Sequence, residues 1–152
     1  MTTMGEPESS AAPSALFLDT NILVYASWAA APLHQRALAL LQADEVSGVP
    51  LVISRQILRE FLAVLTRPQF GIALEEVIAA ARAYAERFQI VDDDPAIFTL
   101  LLTLVGNARS KRLFDANIVA TMVVAGVPRL LTNNPLDFTP FADLITVETL
   151  EP

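Results

Sequence analysis

Short, uniformly apolar runs alternate along this chain with longer segments whose apolar residues recur every three or four positions. Ala15–Leu18 and Val49–Ile53 are of the first kind, and each ends abruptly at a polar residue, Asp19 and Ser54. Runs of this length without polar alternation suit strands buried on both faces of a parallel sheet. Gln89–Val91 and Arg129–Leu131 read as two further brief strands, and Leu144–Val147 as a fifth, at the edge. Between them the helical period dominates. A short helix is expected over Ile22–Ala26, and Pro32 opens another that carries Leu33, Ala37, Leu40 and Leu41 as far as Ser47-Gly48. Ser54 is a natural cap for a helix Arg55–Arg67 that buries Ile57, Leu58, Phe61, Leu62 and Leu65; Pro68 stops it and Gly71 turns the chain. Leu74–Arg87 is Ala-rich and helical. Asp94-Pro95 starts a helix that ends at Gly106-Asn107, and Leu113–Ala125 is helical up to Gly126.

Strands alternating with helices in this way predict an α/β fold. We expect a three-layer α/β/α sandwich around a mainly parallel sheet of four or five strands. Residues 1–14 are rich in Ser, Pro, Ala and Glu and read as a disordered leader, with one domain over residues 15–152. Asn107–Arg112 is a polar, basic loop, and Asp137-Phe138 lies in a short turn.

Composition narrows the picture. At 152 residues the chain has room for one real core, and its 53% hydrophobic content exceeds the usual ~45–50%. No apolar run approaches the ~20 residues needed to span a bilayer, and the N-terminal residues lack a signal-peptide pattern. The absence of cysteine excludes disulfides and thiolate metal sites, and a reducing cytoplasm is the expected setting. A net charge of −7 argues against a general nucleic-acid binder. It leaves room for a nuclease, because acids that converge on divalent cations are misjudged when the metal charge is left out.

The positions of the acids carry the chemistry. Asp19 is the first residue beyond the carboxyl end of the first strand, where open α/β sheets bind their ligands. Glu60 lies six residues past the Ser54 cap, about 9 Å along a helix that starts at the same sheet edge. Helical side chains lean toward the N-terminus, so a glutamate can reach back to that edge. The helix Leu113–Ala125 feeds the next parallel strand from below, which puts Asp115, in its first turn, at the edge too. Thr132, Asn133 and Asn134 close the fourth strand there, with Asp137 nearby. Asp19, Glu60 and Asp115 thus converge from distant parts of the chain. Each has a plainer reading: Asp19 as a helix cap, Glu60 as a surface charge, Asp115 as a complement to the helix dipole.

Clustered carboxylates raise one another's pKa unless a cation compensates. Oxygen ligands without Cys or clustered His select hard cations, Mg²⁺ or Mn²⁺. The single histidine, His34, cannot build a zinc site and reads as a surface or partly packed side chain. The chemistry that fits is metal-activated water attacking a phosphodiester, with one or two ions, Asp19 and Asp115 holding metal and Glu60 completing the shell or orienting water.

Four stretches now point to a family. LFLDTNILVYA at Leu16–Ala26, ISRQILREFLAVLTRP at Ile53–Pro68, RLFDANIVATMVVAGVPRLLTNNPLDF at Arg112–Phe138 and ITVETL at Ile145–Leu150 resemble PIN-domain ribonucleases, in particular the VapC toxins of type II toxin–antitoxin pairs. The resemblance implies a PIN-like fold and a Mg²⁺- or Mn²⁺-dependent endoribonuclease that cuts single-stranded RNA or loops. It also implies a homodimer and a cognate antitoxin protein. Asp19, Glu60 and Asp115 match the family's first three acids, and Asn21 its site-steadying Asn, with Thr132 as a second support. The fourth acid departs from the pattern. Many relatives carry Asp where this chain has Asn134, whose amide oxygen still ligates without adding charge, and Asp137 is the candidate to supply a carboxylate through water.

Arg55, Arg59 and Arg112 flank the acids in sequence and are candidates for RNA phosphate contacts, against ordinary solvation. Trp28 is a candidate antitoxin anchor or a core residue. Two rival functions stand. A haloacid-dehalogenase-type phosphatase would use Asp19 as nucleophile, but needs an acid where this chain has Asn21 and a lysine for which only Lys111 is at hand. A degenerate PIN-like domain would bind RNA or protein without cleaving, and Asn134 is the feature in its favour.

Overall fold

A computed structural model describes residues 14–106 and 112–151, and the side chains of all of these but 44–46. Five strands form one sheet: β1 (Leu16–Leu18), β2 (Leu51–Ser54), β3 (Gln89–Val91), β4 (Arg129–Leu131) and β5 (Thr146–Glu148). Their order is β3-β2-β1-β4-β5, and every neighbouring pair is parallel. The helices are α1 (Thr20–Ser27), α2 (His34–Ser47), α3 (Arg55–Leu65), α4 (Leu74–Arg87), α5 (Pro95–Gly106) and α6 (Leu113–Ala125). Two 3-10 segments, Pro68–Phe70 and Pro135–Phe141, complete the described elements.

The strand order explains the layers. From β1 to β3 the chain moves one way across the sheet, and from β3 to β5 it moves back the other way. Right-handed crossovers then put the helices of the two journeys on opposite faces. Accordingly α1 packs on α2 and α3, and α3 on α4, while α5 packs on α6. The expected α/β/α sandwich is present, with an entirely parallel sheet. The direction reverses between β1 and β4, which lie side by side, and a crevice forms at such a switch point beyond the carboxyl ends of the strands. Pairing of Leu18 with Leu131 brings Asp19 and Thr132 to the same level there. The core runs through the sheet: Phe17, Leu18, Ile53 and Leu130 are fully buried, with Phe61, Phe138 and Phe141 packed around them.

Most boundaries fall where the pattern puts them; β1 begins one residue later, at Leu16, β2 runs one residue further, to Ser54, and the larger shifts have identifiable causes. Helix α1 begins at Thr20, not Ile22, because Asp19 caps it, its carboxylate accepting from the Thr20 N–H. Pro32 lies in a turn just before α2. The β2 ladder starts at Leu51, not Val49: Pro50 has no N–H to donate, and its carbonyl accepts from Leu16 N. Helix α3 stops at Leu65, because the residue before a proline is driven out of the helical region, and Arg67 is extended (φ −67°, ψ 141°). Asp137-Phe138 belongs to a longer 3-10 segment. Its Phe141 carbonyl takes the N–H groups of both Leu144 and Ile145, so β5 begins only at Thr146. Of the expected leader only Ser14 is described, its carbonyl accepting from Arg129; residues 1–13, and 107–111 of the expected basic loop, lie outside the described residues.

His34 is half-buried, its Nδ1–H donating to the Tyr25 carbonyl at 2.6 Å, which satisfies a group near the end of α1. Trp28 is half-buried against the core, edge-on to Phe70 at 4.8 Å. Gly126 closes α6 in the left-handed region (φ 71°), and an added Cβ there would meet nothing within 4 Å. Gly126→Ala should therefore cost only the backbone term, about 1–2 kcal/mol, in a urea unfolding curve. A loss beyond about 3 kcal/mol would show a packing role for that position that the structure does not contain.

Candidate active site

Asp19, Glu60, Asp115, Asn134 and Asp137 line one cleft of about 510 Å³, together with Thr20, Asn21, Val24, Ala63, Val64, Arg67 and Phe114. All three acids singled out in the sequence, and both accessory residues, reach the same space. Each gets there for a local reason. Asp19 follows β1 directly. Its Oδ1 accepts from Thr20 N at 2.7 Å and its Oδ2 from Thr132 Oγ1 at 2.7 Å. A carboxylate has about four lone-pair sites, so serving as a helix cap does not exhaust it.

Ser54 ends β2 and caps α3, accepting from Ile57 N, which aims that helix away from the sheet edge. Glu60 leans back and receives Thr20 Oγ1 at 2.7 Å and Gln56 Nε2 at 2.9 Å. Asp115 is half-buried in the first turn of α6. Asp137 pairs with Arg112 at 3.1 Å.

Thr132 is the hinge of the polar network. Fully buried, its hydroxyl donates to Asp19 and accepts from Asn134 N at 3.1 Å and Asn21 Nδ2 at 3.3 Å. Asn21 in turn accepts from Asn133 N at 3.2 Å, and Asn133 donates to the Tyr25 hydroxyl at 3.1 Å. The loop after β4 is thereby tied to α1.

The electrostatics are those of crowded acids. Burial pushes the Asp19 carboxyl up; its bonds from Thr132 and Thr20 pull it down, and Glu60 and Asp137 push it up again. Asp115 is pushed up to about 6, chiefly by burial and then by Asp19 and Asp137, with Arg112 opposing. Among the described residues no three His, Cys, Asp or Glu side chains stand, as placed, in an arrangement that could hold a metal ion. The donor set nevertheless suits a hard divalent cation. It is all oxygen, and the neighbouring acids push up the carboxyls of Asp19 and Asp115 in a way that a cation would relieve.

The arginines divide. Arg112 reaches the acids through Asp137. Arg55 and Arg59 instead line a second groove of about 430 Å³, where Arg55 pairs with Asp92 at 3.1 Å. Phe114, 66% exposed, is a wall shared by both grooves. Sequence reasoning passed over Arg67, which lines the acid cleft, and Gln56, which binds Glu60. For Gln56 a signal existed: it stands four residues before Glu60 on one helix face. For Arg67 the extended backbone forced by Pro68 was needed.

A parallel sheet with carboxylates gathered at its switch point defines an α/β protein with a carboxylate centre. The model of the PIN domain matches residues 16–138, and the chain belongs to the PIN-domain family. It is 33% identical over 133 residues to "Ribonuclease VapC24" of Mycobacterium tuberculosis, covering 83% of this chain and 90% of that protein. Among solved structures, VapC20 of Mycobacterium tuberculosis superposes with a TM-score of 0.66 at 16% identity, over 87% of this chain and 97% of that one. A toxin–antitoxin complex from Klebsiella pneumoniae gives 0.61 at 25% identity, over 90% and 98%. The phosphatase reading of Asp19 falls with the family assignment.

A carboxyl with a folded pKa above its unfolded value holds its proton more tightly when folded. Stability of the cation-free protein should therefore be highest below the unfolded value of 3.8 as far as Asp115 is concerned, and be lost as pH rises toward about 6. Asp115→Asn should raise the melting temperature at pH 7.5 without added cation and flatten that part of the pH profile. Scanning calorimetry from pH 4 to 8 with a chelator present checks this. An unchanged profile would show that Asp115 is not strained by its neighbours.

Proposed function

We propose that this protein is an endoribonuclease and the toxin of a toxin–antitoxin pair, with a divalent-cation requirement met by Mg²⁺ or Mn²⁺. The observation that carries the reading is the meeting of Asp19, Glu60 and Asp115 in one cleft at the switch point of the sheet. The kinship with a ribonuclease over most of both chains supports the same conclusion. Asp19 and Asp115 would hold the cation with Glu60, and Asn134 and Asp137 would complete its surroundings. The bound ion supplies an activated water and charge stabilisation for a phosphodiester.

The chain's own groups do the rest. Thr132 and Thr20 orient the Asp19 carboxylate so that its remaining lone pairs face the cleft. Asn21 fixes Thr132. Arg112 and Arg67 stand where a phosphate backbone would pass, and Arg55 and Arg59 extend the basic surface into the neighbouring groove. Retention of all three acids weighs against a degenerate, binding-only domain.

An antitoxin partner is supported by the fold's likeness to toxins solved as VapBC pairs, such as those from Rickettsia felis and Haemophilus influenzae. A homodimer is supported by α5. Ile97, Leu101 and Leu104 are buried, yet Phe98, Leu102 and Val105 form a second apolar stripe that is open to solvent. Its Thr99 and Thr103 hydroxyls turn inward to Pro95 and Thr99 carbonyls. A helix with a second apolar face, about 100° round from the buried one, needs a second cover. Among the described residues no helix is long and apolar enough to cross a membrane, in keeping with a cytoplasmic setting.

Purified protein with Mg²⁺ should cleave single-stranded RNA. Asp115→Asn should lower the rate by more than about 100-fold, since even changes behind a metal ligand cost about 10–100-fold. Equal cleavage by the variant, or turnover of a small phosphate ester alone, would sink the assignment. Light scattering should find a dimer for the wild type and a monomer for Phe98→Asp; a monomeric wild type would remove the proposed interface.

A further inference from the structure

Glu60 is held from both sides by uncharged donors. Thr20, the first residue of α1, gives its hydroxyl hydrogen to Oε2, and Gln56, one turn earlier on α3, gives an amide hydrogen to Oε1. Behind Gln56 stands Asn117 of α6, whose Nδ2 donates to Gln56 Oε1. The order of this chain is forced. A carboxylate only accepts, so Gln56 must turn its NH₂ toward Glu60 and its oxygen away; Asn117 must then present its own NH₂. No other orientation joins a donor to an acceptor at both contacts.

Two features make this more than helix packing. Asn117 lies two residues after Asp115 on the same helix, so α6 supplies one acid of the cleft and the anchor that sets another. The donors are also neutral. An arginine or lysine in place of Gln56 would fix Glu60 equally well, but it would cancel the negative charge that a bound cation needs. Amides and a hydroxyl steer the carboxylate and leave its charge intact.

We propose that Gln56 and Asn117 are positioning residues: Asn117 orients the Gln56 amide, and that amide holds Glu60 in the geometry for divalent-cation binding. This rests on the metal-dependent reading of the cleft. Neither residue need touch substrate or metal, although both also line the neighbouring groove.

The test is Mn²⁺ titration calorimetry on the full chain. The panel comprises wild type, Gln56→Met (similar in shape, unable to donate), Asn117→Leu, their double variant, and Glu60→Gln with and without Gln56→Met. Gln56→Met should weaken Mn²⁺ binding by roughly tenfold, the low end for residues behind a ligand. Asn117→Leu should weaken it by the same factor or less, and the double variant by no more than Gln56→Met alone. In the Glu60→Gln background the Gln56 change should have no further effect. On RNA, kcat should fall while KM stays. Should Gln56→Met fail to fold, Asn117→Leu carries the same comparison.

Unchanged Mn²⁺ affinity, or an equal loss when Glu60 is already replaced, would overturn the proposal in favour of simple packing. A raised KM with metal binding intact would overturn it in favour of direct substrate contact. A wild type that binds Mn²⁺ with this pattern but cuts no RNA would end the ribonuclease reading and leave the positioning chain standing.

Discussion

Four carboxylates share one cleft, and their mutual repulsion is the constraint around which the surrounding structure is built. Asp19 and Asp115 are each driven toward the protonated state by burial and by the acids facing them. A fold that merely wanted stability would replace at least one of them. Here they are kept and held, Asp19 by Thr20 and Thr132, Glu60 by Thr20 and Gln56, Asp137 by Arg112. The site is an electrostatic debt that a divalent cation would discharge.

The sheet makes this crowding feasible. Reversal of the chain's direction between β1 and β4 opens a crevice where no crossover helix covers the strand ends. Into it come the end of one strand, the start of α1 and the first turn of α6, with Glu60 reaching back along α3. Thr132 is the meeting point. Three hydrogen bonds, all that a hydroxyl can make, bind β1, α1 and the loop after β4 together. A fully buried polar side chain at the sheet edge is tolerable only because every one of those bonds is made.

The neutral donors and the cationic ones have separate places. Amides and hydroxyls contact Asp19 and Glu60, deep in the cleft. Arginines stand farther out, Arg112 on Asp137 and Arg67 along the wall. That separation keeps negative charge where a metal would bind and positive charge where a phosphate backbone would approach. The open apolar stripe of α5 begins in the second groove, where Phe98 lines the same space as Arg55, Arg59 and Phe114.

Much of this was legible in the chain itself, because periodicity and caps are local. Helices α4 and α6, strands β3 and β4 and the start of α5 fall where the pattern of apolar residues, Gly126 and the Asp94-Pro95 step put them. The convergence of Asp19, Glu60 and Asp115 could also be argued from sequence, since a parallel sheet sends every strand end to one edge. What tertiary structure alone decided was pairing between distant side chains. The bond from Thr132 to Asp19 spans 113 positions and that from Thr20 to Glu60 spans 40. No local pattern signals such a pair, because it depends on strand order and helix tilt. The same holds for the arginines: Arg55 and Arg59 share a helix with Glu60, yet rotation about that helix turns them to another groove, while Arg67 is swung into the cleft by the break before Pro68. Local chemistry chose the elements and their ends; only the packing of those elements chose which polar groups meet.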